Sequence, residues 1–279
     1  IMKIQYLGTG GGAGIPEMFC SCRICENSRI KGGGEIRNRS LAVIDDELCI
    51  DLPCDARSSF LRQGFDARTL RFLLITHNHY DHFMAENLLT RPEGWDSIEL
   101  FLSRGSGREL AEKCVSLRAE TPQENMRPVS CPNIHFAEPF VCFQCGKYSV
   151  IPLPANHAPK LEALNYIISS EGIHILWLHD TGLMREETMR YIQNSGLYFA
   201  FVSLDCSLAY GMHTPSDHMD ILQCAQTVKA LKSFRCVKES TLVYLSHISH
   251  LVDRTHQELS REAEEFGFQV AYDGVEIDI

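Results

Sequence analysis

The chain has 279 residues, 44% of them hydrophobic and 22% charged, with a formal net charge of -10. That is enough apolar material for a substantial core, while the negative balance and scattered Lys and Arg disfavour a nucleic-acid partner, which would need a basic stripe. No apolar run approaches the roughly 20 residues of a membrane-spanning helix, and residues 2–7 read as a strand rather than a signal peptide, so a cytoplasmic protein with no membrane partner is expected.

In chain order, the first strand feeds Gly8-Thr9-Gly10-Gly11-Gly12-Ala13-Gly14, a loop that glycine bends freely. A phosphate-binding loop would continue into Gly-Lys-Ser/Thr and open a helix; neither follows, so that reading is weak. Cys20-Ser21-Cys22-Arg23-Ile24-Cys25 comes next. Three thiols in C-x-C-x-x-C spacing can converge on one tetrahedral zinc if a fourth ligand comes from elsewhere; the competing reading is three unlinked thiols in a loop. Of the 12 cysteines, Cys49, Cys224 and Cys236 read as small buried hydrophobes, and without an export signal a disulfide framework is not expected. Residues 39–44 and 47–52 are expected to pair as strands turned at Asp45-Asp46, with Asp51 near enough to brace the next strand end. Residues 55–63 form a short helix. Phe72-Leu73-Leu74-Ile75 is a buried strand that stops at Thr76-His77-Asn78-His79-Tyr80-Asp81-His82. A helix is expected over 81–90, with Asp81 at its N-terminus, where a carboxylate is favoured.

Residues 98–102 read as a strand and 105–117 as a helix. Residues 118–146 give no clear pattern; they hold Cys131, His135 and Cys142-Phe143-Gln144-Cys145, and a second zinc site there lacks a second close pair. Residues 148–153 form a strand ending at Pro154-Ala155-Asn156-His157. Residues 163–169 and 173–178 form a hairpin whose second arm ends at His179-Asp180-Thr181-Gly182. After a helix over 185–194, a strand over 198–204 ends at Asp205. A polar loop with His213 and His218 enters a helix over 220–232. A strand over 241–245 ends at Ser246-His247-Ile248-Ser249-His250, and a helix over 254–266 and two short strands close the chain. Strands and helices alternate with no linker or repeat, so one α/β-layered domain over 1–279 is expected.

Four strand ends thus carry the same chemistry: His77/His79/Asp81/His82, then His157, Asp180 and His247. A single His at a strand end is usually a polar cap, but recurrence at four ends points to one site. His77 and His79 can project to one side of an extended turn, with Asp81 and His82 one step further along, which suggests two neighbouring metals. Imidazole with carboxylate suits Zn, Mn or Fe. His135, His174 and His256 have no evident partner, and His179 is expected to point to the opposite face from Asp180.

The pattern His77-x-His79-x-Asp81-His82, with the later ligands in order, resembles the signature of the metallo-β-lactamase superfamily. The resemblance implies an αββα four-layer sandwich with a dinuclear site at one edge. His77, His79 and His157 would hold one metal, Asp81, His82 and His247 the other, and Asp180 would bridge them. Gly-Thr-Gly followed by C-x-C-x-x-C is similar to the PhnP-type phosphodiesterase subfamily. In that subfamily a His three residues after the last catalytic His completes a structural zinc, which implies Cys20, Cys22, Cys25 and His250 here.

The resemblance implies a hydrolase of small or cyclic phosphodiesters that uses a dinuclear metal-bound hydroxide, with two divalent ions (Zn, Mn or Fe) and one structural Zn. Asp81 would orient the nucleophile. His218 would contact the substrate and protonate the leaving group; it is favoured over His213. A homodimer is compatible with this reading. The alternatives are a tRNase Z-like RNA endonuclease, which the acidic charge opposes, a mononuclear iron oxidoreductase, which would need only one of the two ligand sets, and a PqqB-like relative that binds without catalysis.

Overall fold

A computed structural model describes residues 1–89, 98–120, 133–212 and 217–279. The first sheet is built from β1 (Lys3–Gly8), β2 (Leu41–Ile44), β3 (Leu48–Ile50), β4 (Phe72–Leu74), β5 (Glu99–Leu102), β6 (Asn133–Phe136) and, across the chain, the last strand, Glu276–Asp278. The second takes β7 (Phe143–Cys145), β8 (Tyr148–Pro154), β9 (Leu164–Ser170), β10 (Ile173–Leu178), β11 (Phe201–Asp205), β12 (Leu242–Ser246) and β13 (Gln269–Val270), so the closing strand is β14. Both sheets are mixed. β8, β9 and β10 pair antiparallel, whereas β10, β11 and β12 pair in parallel; the carboxyl ends of β8, β10, β11 and β12 therefore point the same way.

Three apolar clusters define four layers. Tyr6, Tyr148, Tyr166, Trp177 and Phe201 fill the space between the sheets. Leu73, Leu100 and Leu102 turn outward from the first sheet to meet α2 (Ala56–Gln63), α3 (Glu86–Leu89) and α4 (Arg104–Glu120) through Ala56, Leu88 and Leu110. On the other side, Leu176, Val202 and Leu245 meet α5 (Glu186–Ser195), α6 (Ile221–Ser233) and α7 (His256–Glu264) through Ile192, Cys224 and Leu259. α1 (Arg23–Lys31) joins the same cluster through Ile24. This is the αββα sandwich. Among the described residues no helix is long and apolar enough to cross a membrane.

The Asp45-Asp46 turn forms as expected, both residues having positive φ, and so does the Glu171-Gly172 turn between β9 and β10. The helix expected over 81–90 does not begin at Asp81. Leu52 N donates to His82 O, Cys54 N to Tyr80 O, and Met84 N to Leu52 O. Residues 80–82 form a turn closed by the His82 and Phe83 amides donating to His79 O, Phe83 makes a single bridge to Leu52, and α3 starts only at Glu86. His135, His174 and His256 do have partners: Glu99 at 3.1 Å, Ser169 Oγ at 2.7 Å and Arg37 at 3.0 Å, respectively. Cys142 is exposed and Cys145 buried, and neither belongs to a metal-competent cluster among the described residues. Cys131 and His213 lie outside the described residues.

His179 behaves as expected, buried and turned away from the ligands. Its Nδ1 lies 3.2 Å from Ser40 Oγ and its Nε2 lies 2.6 Å from Ser203 Oγ, which is 2.5 Å from Tyr6 Oη. The network ties one sheet to the other through groups with no access to water, where an unpaired polar atom is expensive. Ser203→Ala removes the shared hydroxyl and is expected to lower unfolding free energy by about 1–3 kcal/mol, read from urea denaturation, with Ser203→Thr retaining more of it.

Candidate metal centre

The site forms where strand ends converge. β4 runs into His77–His82, β8 into His157, β10 into Asp180, β11 ends on Asp205, and β12 runs into His247. Backbone geometry aims some of these side chains. Asp51, Asp180 and His247 adopt φ of 65°, 51° and 57°, left-handed conformations that a non-glycine residue holds only when its surroundings fix it.

Two ligand sets share one carboxylate. In the first, His77 Nε2 lies 2.8 Å from His79 Nδ1 and 3.0 Å from Asp180 Oδ2, and His157 Nε2 lies 3.2 Å from both His79 Nδ1 and Asp180 Oδ2. In the second, His82 Nε2 lies 3.1 Å from His247 Nε2, 3.2 Å from Asp180 Oδ2 and 3.5 Å from Asp81 Oδ2. Ligands at about 2.1 Å from one ion would be separated by about 3.0 Å at right angles and about 3.4 Å at tetrahedral angles, so the spacing fits a divalent cation in each set. Single protons serve these contacts poorly: His77 Nε2 and His157 Nε2 each face both His79 Nδ1 and Asp180 Oδ2 with one proton at most to donate, and Asp180 Oδ1 is buried without a hydrogen bond of good geometry, although His218 Nδ1 is 3.0 Å away.

The outward nitrogens fit the same reading. His82 Nδ1 meets Asp51 Oδ2 at 2.7 Å, His247 Nδ1 meets Ser207 Oγ at 2.7 Å and Asp205 Oδ2 at 3.3 Å, and His77 Nδ1 meets Thr76 Oγ1 at 3.1 Å. A metal-binding His orients its ring through such a partner. Burial opposes charge on His82, but Asp51, Asp81 and Asp180 outweigh it and raise its pKa well above 6.5. At His77 burial wins, and the pKa falls to about 3, leaving a neutral ring with a free lone pair. His218 sits beside the shared carboxylate, its Nδ1 2.9 Å from Asp205 Oδ2. There burial is overcome by Asp205 and Asp180, which push the pKa up to about 11.

Asp205 is not legible as a site residue, whereas Asp51 is expected as a brace for the next strand end and is one. Asp205 touches His218 and His247 and accepts from the Ser207 amide; Asp51 accepts from both the Thr76 amide and hydroxyl as well as meeting His82. Each is one acid at a strand end with no local motif. The fact that every other inward strand end carried a ligand was the available signal.

A separate cluster brings together Cys20, Cys22, Cys25 and His250. His250 Nδ1 lies 3.5 Å from the sulfurs of Cys20 and Cys22, against the about 3.5–3.6 Å expected around a tetrahedral zinc with its usual Zn–S and Zn–N lengths. Its Nε2 meets Glu17 at 3.1 Å, the same outer-partner arrangement. Despite burial, the Cys25 amide and His250 pull the Cys22 thiol down to about 6, toward the thiolate that binds metal.

Residues 53–248 match the profile of the beta-lactamase superfamily domain. A curated relative, an octanoyltransferase from Porphyromonas gingivalis, is 28% identical over 261 residues, covering 92% of this chain and 48% of that protein; the chain spans about half the length of the curated relative it matches. Among solved structures, a diphosphatase from the PhnP family superposes with a TM-score of 0.75 at 20% identity over 100% of this chain and 98% of the other. Zinc-bound PqqB from Methylobacterium extorquens superposes with a TM-score of 0.71 at 15% identity over 99% and 100%. At these identities the superpositions speak for the fold.

The geometry leads to a metal-content prediction. Elemental analysis of Cys22→Ser is expected to show loss of about one zinc per chain and a lower melting temperature, with weakened metal retention at the His/Asp sets as well, because His250 of the thiol cluster lies three residues beyond His247 in the same segment.

Proposed function

This chain belongs to the beta-lactamase superfamily, and we propose that within it the protein is a metal-dependent phosphodiesterase of small or cyclic phosphodiesters. The observation that carries the reading is the pair of ligand sets meeting at Asp180, with His218 Nδ1 3.0 Å from that shared carboxylate. We assign His77, His79 and His157 to one ion, Asp81, His82 and His247 to the second, and Asp180 to both; Cys20, Cys22, Cys25 and His250 would hold a structural zinc.

When bound, two divalent ions supply Lewis acidity to the phosphoryl oxygens and make water acidic enough to attack near neutral pH. The chain's own residues supply the rest. Asp81, whose Oδ2 faces His82 and His247, accepts a hydrogen bond from the attacking water and fixes its direction. Attack forms a bond from water oxygen to phosphorus as the bond to the leaving oxygen breaks, and that oxygen needs a proton. His218 provides it, with Asp205 at 2.9 Å from Nδ1 fixing the ring and favouring its protonated form. His218 is partly exposed while Asp180 and Asp205 are buried, so it stands between the ligands and solvent, where the ester would enter. The net charge of -10 favours a small anion over an extended RNA, whose binding draws on many cationic contacts.

A panel of bis-p-nitrophenyl phosphate, 2′,3′-cyclic nucleotides and a diphosphate diester, assayed with Mn and Zn separately, tests the reading; hydrolysis of none of them under either metal would sink it. The proton-donor role has its own signature. p-Nitrophenolate leaves without a proton, whereas a ribose alkoxide does not. His218→Ala is therefore expected to slow cyclic-nucleotide hydrolysis by about 10²–10⁴-fold and the nitrophenyl ester far less, with metal content unchanged. Equal losses on both substrates would remove His218 from proton transfer.

A further inference from the structure

The glycine loop between β1 and α1 has no part in the assignments above, and most of its glycines have a packing reason. A Cβ at Gly8 would collide with the Arg39 carbonyl, one at Gly10 would sit 2.9 Å from Asn38 O, and Gly14 has a φ of 68°. Gly11 and Gly12 differ. Neither needs a left-handed φ, and what their Cβ atoms would meet is the candidate metal centre: His247 Cε1 at 3.3 Å from Gly11 and Asp81 Oδ2 at 3.5 Å from Gly12. The contact at Gly12 is ordinary van der Waals distance, so the fold itself tolerates a side chain there. The space it would take is the space beside the Asp81 carboxylate.

The loop is held firmly in that place. Tyr80 Oη donates to Gly12 O at 2.8 Å and Arg39 Nε donates to the same oxygen at 2.9 Å. Arg39 lies over the Tyr80 ring, 5.2 Å from its centroid, and pairs with Asp55 at 3.2 Å. Tyr80 itself stands between His79 and Asp81 in the chain and is 53% exposed. Gly12 and Ala13 are half-buried, whereas Asp81, His82 and His247 are buried. The amides of Gly10, Gly11 and Gly14 donate to Asn38, Ile248 and Gly11 carbonyls. Among the described residues those of Gly12 and Ala13 meet no protein acceptor, which leaves two donors at the lip for an anionic oxygen.

We propose that the Gly12–Ala13 backbone, fixed by Arg39 and Tyr80, is the wall along which the substrate's non-leaving ester group lies, and that the missing side chain at Gly12 sets how large that group can be. This deepens the phosphodiesterase reading and rests on it. Gly12 is a specificity-determining position; Arg39 and Tyr80 act through it as positioning residues.

The test uses Gly12→Ala and Gly12→Val in the metal-loaded protein, with two probes that cannot be hydrolysed, dimethylphosphinate and diphenylphosphinate, followed by calorimetry. Gly12→Val is expected to weaken diphenylphosphinate about tenfold or more and leave dimethylphosphinate within about twofold, with Gly12→Ala between it and the wild type. Metal content and melting temperature should match the wild type in both variants. Turnover should follow, bis-p-nitrophenyl phosphate slowing and methyl p-nitrophenyl phosphate holding. Equal effects on the large and small probes, or none, would overturn the wall. Phosphinate binding by the wild type with the expected selective loss in Gly12→Val, together with no diester hydrolysis by the wild type, would overturn the phosphodiesterase reading and leave the wall standing; binding of neither phosphinate by the wild type would overturn both.

Discussion

One buried carboxylate sets the terms for the rest of the structure. Asp180 is 2% exposed and lies within 3.2 Å of ring nitrogens from His77, His82, His157 and His218. A carboxylate withdrawn from water is costly unless positive charge or donated hydrogen bonds replace the hydration it loses. Four imidazoles around two oxygens cannot all be protonated against one another, and His77 Nε2, with one proton at most, faces both His79 Nδ1 and Asp180 Oδ2. Cations shared between the rings and the carboxylate resolve the conflict, and this is why a purely structural role for the cluster is a poor account of it.

The constraint propagates outward. For Asp180 to reach both ligand sets, β10 must end in a left-handed residue, and the same holds for His247 after β12 and Asp51 after β3. Such conformations cost of order 1–3 kcal/mol each and persist because neighbours fix them: Asp51 takes three hydrogen bonds from Thr76 and His82, and Ser207 Oγ meets both Nδ1 and the carbonyl oxygen of His247. The inter-sheet network of Tyr6, Ser203, His179 and Ser40 lies one residue from Asp180, so the register of the two sheets and the aim of the carboxylate common to the candidate sets are fixed together.

This arrangement explains what the sequence disclosed. Candidate ligands are legible when several residue types with metal affinity crowd a strand end, as at His77–His82, or when the same end recurs, as at His157 and His247. Asp205 escapes notice because it acts through tertiary contact with His218 and His247, and a lone acid after an apolar strand looks like any turn; Asp51 is legible only as a brace, because its strand is expected to end beside the His cluster. The helix placed at Asp81 failed for a related reason. Local propensity favours a helix there, but the bonds between residues 52–54 and 80–84 join segments about thirty residues apart and limit residues 79–83 to a single turn. A helix at Asp81 would wrap Asp81 and His82 around its own axis, and they could not face Asp180 together with His77 and His79.

The N-terminal segment then ceases to be peripheral. Gly10 bridges both Arg39 and Ile248, Ile248 N donates to Thr9 O, and Gly11 N donates to Ile248 O, so the glycine loop is a pairing partner of the strand end that delivers His247. Two residues beyond Ile248, His250 enters the thiol cluster, which fixes that strand end from the opposite side. The segment just after His247 is thus held at two points by the same stretch of chain, at Ile248 through backbone bonds to residues 9–11 and at His250 beside the thiols of residues 20–25. A ligand in a strained backbone conformation needs such a frame, because any slack would let φ relax and withdraw the ring from Asp180. The cysteine insertion and the glycine loop, which look in sequence like two unrelated features, are the two halves of one clamp on a single histidine.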